Sequence, residues 1–192
     1  MARTSRPAAR TVVLVDGSNV ARCSRWRRQV AAVTGSTTVA DDDLRRRLVD
    51  AVAGWAVAED RVVRLVFDGA GPWQEGSVDV APGVTVEASG SRDGDALLER
   101  AAATLRGAGI DHWIVTEDRA LQAVAGVGAQ RVIGADAFVV ELGQQQRATA
   151  RSSSGGAGRS PKAGADDGGS SRLADTLDDS ARARLERMRR GL

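Results

Sequence analysis

A chain of 192 residues with 42% hydrophobic and 27% charged side chains has the composition of a soluble globular domain of ordinary size plus an appendage. One cysteine, Cys23, excludes an internal disulfide, and with a single histidine there is no Cys/His cluster for zinc. No apolar run reaches the length of a membrane span, and the basic N-terminus leads into a five-residue strand rather than a signal-peptide apolar region, so a cytoplasmic protein is expected.

Residues 1–10 read as a loose basic arm. Thr11 to Val15 is an uncharged, β-branched run that ends in Asp16-Gly17-Ser18-Asn19, the pattern of a strand buried on both faces and closed by a tight turn. Asn19 to Val30 predicts a helix carrying Arg22, Arg25, Arg27 and Arg28. Asp41, Asp42 and Asp43 cap a strong helix over about 44–59, where acids in the first turn suit the helix dipole. Arg61 to Phe67 is a second strand ending at Asp68-Gly69, and the Gly/Pro-rich stretch 70–83, with Trp73, is expected to be a long loop. A third strand over 84–88 leads through Asp93 and Asp95 into a helix over about 95–106, closed by Gly107 and Gly109. His112 to Thr116 is a fourth strand leading to Asp118, followed by a helix over 120–125. A short fifth strand at 131–133 and the segment 135–142 finish the domain.

Alternation of this kind predicts an α/β fold with a mainly parallel, five-stranded sheet and helices on both faces. Neither a G-x-G-x-x-G after the first strand nor a G-x-x-x-x-G-K exists, so dinucleotide and P-loop nucleotide binding are unsupported. From 144 to 175 the composition turns to Gln, Ser, Gly and Ala, which cannot bury enough apolar surface to fold and is expected to be a disordered linker. Over 176–192 apolar residues recur every three or four positions among five arginines, consistent with a short amphipathic helix.

Four strands end at an acid or lead into one: Asp16, Asp68, Asp93/Asp95 and Asp118. In a parallel sheet these carboxylates gather at one edge, where they repel and raise one another's pKa unless a hard divalent cation holds them. Mg²⁺ or Mn²⁺ bound in this way activates water and neutralises charge on a transferring phosphoryl group. Asp95-x-x-x-Glu99 places a further acid one helical turn on, either at the site or on a solvated face. Any one Asp before Gly is ordinarily a turn residue or helix cap, and Asp93 is read that way, but four at equivalent strand ends point to metal chemistry. His112 reads as a structural histidine and Cys23 as a small helix residue. Thr116 either caps the turn before Asp118 or touches the site.

The segments Val15-Asp-Gly-Ser-Asn-Val20, Val66-Phe-Asp-Gly69, Asp95-Ala-Leu-Leu-Glu99 and Ile114-Val-Thr-Glu-Asp-Arg-Ala-Leu121 resemble the NYN/YacP-like branch of PIN-type ribonucleases, in that family's order, over roughly 11–142. The resemblance implies a PIN-like three-layer α/β/α sandwich and Mg²⁺- or Mn²⁺-dependent endonucleolytic cleavage of RNA. It implies Asp16, Asp95 and Asp118 as metal-binding catalytic acids, Asn19 as the polar residue orienting the site, and Asp68 and Glu99 as outer metal contributors. Ser18 stands where that family often has Tyr, and Arg92-Asp-Gly precedes Asp95 where a small pair is usual. Because an acidic site repels RNA, Arg22, Arg25, Arg28, Arg92 and Arg119 are the expected phosphate contacts. The alternative is a non-catalytic RNA- or ribosome-binding module of the same fold. A small-molecule phosphohydrolase is disfavoured by the lack of an Asp-x-Asp motif after the first strand and of any Lys in the domain.

Overall fold

Strand β1 (Val12–Asp16) sends alternate side chains into two separate cores, as its uncharged run requires. Val13 and Val15 join one apolar cluster with residues of helices α1 (Gly17–Arg22), α2 (Ser24–Thr34), α3 (Asp41–Ala58) and α6 (Ala135–Ser154). Leu14 joins the other, with Leu97, Leu98 and Ala102 of α4 (Gly94–Gly107) and Leu121 and Ala125 of α5 (Arg119–Ala125). The result is three layers, α/β/α. The computed structural model describes residues 10–69, 72–73 and 76–154. The expected basic arm (save Arg10), the greater part of the linker and the short Arg-rich helix lie outside the described residues.

The sheet order is β3-β4-β2-β1-β5-β6. Strands β2 (Val62–Phe67), β4 (Val84–Ala88), β5 (His112–Val115) and β6 (Arg131–Ile133) run parallel to β1. From β1 the chain builds outward through β2 and β4, then returns to the other side of β1 for β5 and β6. The connection leaving β1 packs on one face, and that leaving β5 packs on the other. Between the C-terminal ends of β1 and β5 there is therefore a topological switch point, where open α/β sheets form a crevice.

Two expectations need correction. The stretch read as one long loop contains a sixth strand, β3 (Gly76–Ala81), paired antiparallel with β4 across a Pro82-Gly83 turn in which Gly83 takes φ +76°. It is an edge strand, mostly exposed: the short alternation Ser77-Val78-Asp79-Val80 is there, but both valines remain open to solvent and the Gly/Pro residues around it read as loop. Likewise α6 does not stop near residue 143 but continues to Ser154. Its inner surface packs through Phe138, Val139 and Leu142, and Thr149 and Ser152 return their hydroxyls to the carbonyls of Gln145 and Ala148. Gln29 of α2 also bonds Gln146, which ties that extension to the domain.

Candidate active site

Asp16 is the last residue of β1, Asp68 follows β2, Asp93 and Asp95 follow β4, and Asp118 follows β5, so all reach the C-terminal edge of the parallel strands. Register supports this, with Asp16 beside Val66 on one side and Val15 beside Val115 on the other.

Helix capping holds several of these acids in place. Asp16 is the N-cap of α1, where its Oδ1 accepts from the Asn19 backbone N–H at 2.8 Å. Asp118 caps α5, accepting from the N–H groups of Ala120 and Leu121 at 2.7 and 3.1 Å. Asp93 caps α4 through the N–H of Asp95, the turn role the sequence suggested. Asp95 lies in the first turn of α4, with Glu99 one turn on. In this structure Asn19 meets Asp16 through its backbone.

Asp16 is almost completely buried, at 7% exposure. Desolvation pushes its pKa from 3.8 up to about 6, against the lowering pull of its bonds to Asn19 and Thr116, and the negative charges of Asp68 and Asp95 push the same way. Asp95 is also raised, first by burial and then by repulsion from Asp93, Asp118, Asp68 and Glu99. The acids thus share one electrostatic field. Their oxygen-only donor set is the chemistry a hard divalent cation takes. Among the described residues, however, no three His, Cys, Asp or Glu side chains stand close enough together to form a ligating group. Capping and ion pairing explain the spread: Asp16 uses both oxygens locally, Asp118 points to its helix, and the Asp68 carboxylate bonds Arg22 at 3.3 Å.

Of the expected cations, Arg22 is engaged with Asp68. Arg25 and Arg28 are exposed on α2, Arg92 is exposed in the turn before Asp93, and Arg119 is exposed at the start of α5. His112 is buried at the opposite end of β5, with Nδ1 3.2 Å from the Ile110 carbonyl, remote from the acids and structural as expected.

Thr116 fills both roles the sequence left open. Its hydroxyl donates to Asp16 Oδ2 at 3.0 Å and accepts from the Asp118 N–H at 3.1 Å, so one buried group links two strand-end acids across the switch point. Thr116→Val keeps the shape but strands both partners. It should cost ~1–3 kcal/mol and, by removing a bond that favours the charged form, raise the pKa of Asp16 further. Equilibrium unfolding across pH reads both, as a lower stability and a higher midpoint for the Asp16 transition.

Other supporting residues carried no usable signal in sequence. Ser18 is buried beneath the site, where its hydroxyl accepts from the Asp68 N–H at 2.8 Å, so it supports the turn and cannot stack on a substrate. Ser89 does the same for Gly69. Glu117 caps the start of α6 through the Asp136 N–H, and a Cβ on Gly134 would lie only 2.5 Å from the Glu117 carboxylate. Gly17 has a similar constraint, since a Cβ there would meet the Phe67 ring at 2.7 Å.

The chain belongs to the YacP-like NYN domain family, whose model matches residues 13–190. Among solved structures the chain is similar to Rae1 (YacP) from Bacillus subtilis, with 20% identity over 94% of this chain and 95% of that one, and a TM-score of 0.54. It is also similar to a single-substitution variant of that protein, with 21% identity over 79% of this chain and 86% of the other, and a TM-score of 0.58. At such identity the likeness establishes the fold. No curated protein sequence matches the chain.

Proposed function

We propose that this protein is a metal-dependent endoribonuclease that cleaves RNA phosphodiester bonds with Mg²⁺ or Mn²⁺ bound by Asp16, Asp95 and Asp118, with Asp68 and Glu99 contributing from outside. The observation that carries the reading is the gathering of strand-end acids at the carboxyl edge, where burial and neighbouring carboxylates together raise the pKa of Asp16 and of Asp95. Such a cluster is costly to ionise alone, and a divalent cation removes that cost. When bound, the ion would neutralise phosphate charge and supply a hydroxide-like nucleophile. Asp16 brings the buried carboxylate, Thr116 orients it, and Asn19 holds its turn. Arg25, Arg28, Arg92 and Arg119 receive the flanking phosphates.

The absence of a ready ligating group among the described side chains favours the second reading, a binding module for RNA, free or on the ribosome, that does not cut. Incubation of the protein with single-stranded RNA in Mn²⁺, Mg²⁺, Ca²⁺ and EDTA separates them. Internal cleavage in Mn²⁺ or Mg²⁺ that EDTA abolishes is expected. RNA retained intact in every condition, with tight binding, would leave the binding module standing instead.

A further inference from the structure

Along the sheet-facing side of α4 runs a groove of about 340 Å³ that no role described so far uses. Its floor is apolar: Val12 of β1 and Leu105 of α4 are half-buried there, above the packed side chains of Leu14, Leu97 and Ala101. Its rim carries Arg64, Arg92 and Arg100, and among the described residues no carboxylate lines it. The grooves against α6 differ, because Asp50 lines one and Glu59 and Glu141 line another. An apolar floor beneath several guanidiniums suits a ligand that is anionic along its length and flat and apolar at intervals.

The groove's position ties it to the acids. Arg92 precedes Asp95 by three residues and Leu97 follows it by two, so the groove opens where α4 leaves the carboxylate edge. It extends along α4 at least to Thr104, about 10 Å from Leu97 at 1.5 Å per residue. Glu87 partly offsets the charge of Arg64, but both of its bonds fall on one oxygen, Oε2, and the Arg64 side chain remains 39% exposed. Arg100 spends its Nε on the carbonyl of Ala96 and is exposed.

We propose that this groove is the path of a single RNA strand next to the cleavage position, taking an unstacked base on its apolar floor and the adjoining phosphates on Arg92 and Arg100. The inference rests on the endoribonuclease reading and adds the side from which the strand enters. A base inside a duplex has both faces stacked and cannot reach such a floor, whereas a splayed base can lie on apolar atoms and beside guanidinium planes.

The test is binding of a fluorescently labelled single-stranded RNA to the full chain in Ca²⁺ over a salt series. It compares wild type with Arg100→Ala, Arg100→Glu and Thr104→Glu, and adds a blunt duplex of the same sequence. Both positions are exposed on α4, and thermal melting checks that the fold is kept. Loss of one phosphate contact in Arg100→Ala should reduce the log–log salt slope by ~0.7. Arg100→Glu should weaken binding more than tenfold, and Thr104→Glu, which places a charge at the far end of the groove, several-fold. The duplex should bind more weakly than the single strand. Unchanged slope and affinity in all three folded variants, or equal binding of duplex and single strand, would overturn the groove assignment while leaving the nuclease reading intact. Failure of wild type to bind either RNA would overturn the reading beneath it.

Discussion

Asp16→Asn should make the metal-free protein more stable above pH 7 while removing RNA cleavage. The folded-state pKa of Asp16, about 6, lies above its ordinary 3.8. A raised carboxylate stabilises the fold relative to its ionised form below 3.8 and loses that contribution as pH rises through the folded value. At ~1.4 kcal/mol for each pH unit between the two, wild type gives up ~3 kcal/mol by pH 7.5. Asparagine never ionises, and it remains a good N-cap for the Asn19 N–H. Its amide nitrogen would face the Thr116 hydroxyl, which must then turn its hydrogen away at a cost of ~1 kcal/mol. The net gain should be ~1–2 kcal/mol at pH 7.5 and absent, or reversed, near pH 4. Urea unfolding in EDTA at the two pH values reads this directly. Cleavage in Mn²⁺ should fall on the order of 10²–10³-fold or more, the scale for loss of a preorganised charge-stabilising group. A variant no more stable than wild type at pH 7.5, or one that still cuts, would remove Asp16 from the site.

The mainly parallel sheet and the shared edge were legible because they depend on short-range pattern. Uncharged runs such as Val12–Val15 need two covered faces, and each is followed by Asp within a turn signal, so the edge could be assembled from sequence alone. What escaped depends on partners distant in the chain. Ser18 bonds the Asp68 N–H fifty positions away, and nothing local distinguishes its hydroxyl from a turn residue; Thr116, whose two roles the sequence left open, could be settled only by its bond to Asp16 a hundred positions away. Strand β3 escaped because its alternation, Ser77-Val78-Asp79-Val80, spans only four residues and buries neither valine, so it was absorbed into the Gly/Pro-rich stretch, although Pro82-Gly83 held the turn in plain view. The extension of α6 escaped because Gln and Ala are ambiguous between linker and helix. Only docking through Leu142 and the Gln29–Gln146 bond decides the matter.

Mn²⁺ should stabilise the protein, and its affinity should fall as pH drops through about 6. The acids at the edge are held apart by repulsion as well as by their caps: Asp95 alone feels four neighbouring carboxylates. A divalent cation reverses the sign of that interaction, and anything that binds only the folded state raises stability by about 2.7 kcal/mol at a hundred times its Kd. Binding requires ionised ligands, so below the folded pKa of Asp16 the ion must displace a proton, and apparent affinity should weaken by up to about tenfold per pH unit. Asp95→Asn and Asp118→Asn should each remove most of the Mn²⁺-induced rise in melting temperature. Asp93→Asn should spare it, because Asp93 is a helix cap and asparagine caps equally well. Melting of wild type and the three variants, with and without Mn²⁺ at pH 5 and pH 7.5, needs no RNA and is independent of turnover. An unchanged wild-type melting temperature in Mn²⁺ at pH 7.5 would take the metal out of the mechanism, and loss of the shift in Asp93→Asn would mean that this residue is a ligand as well as a cap.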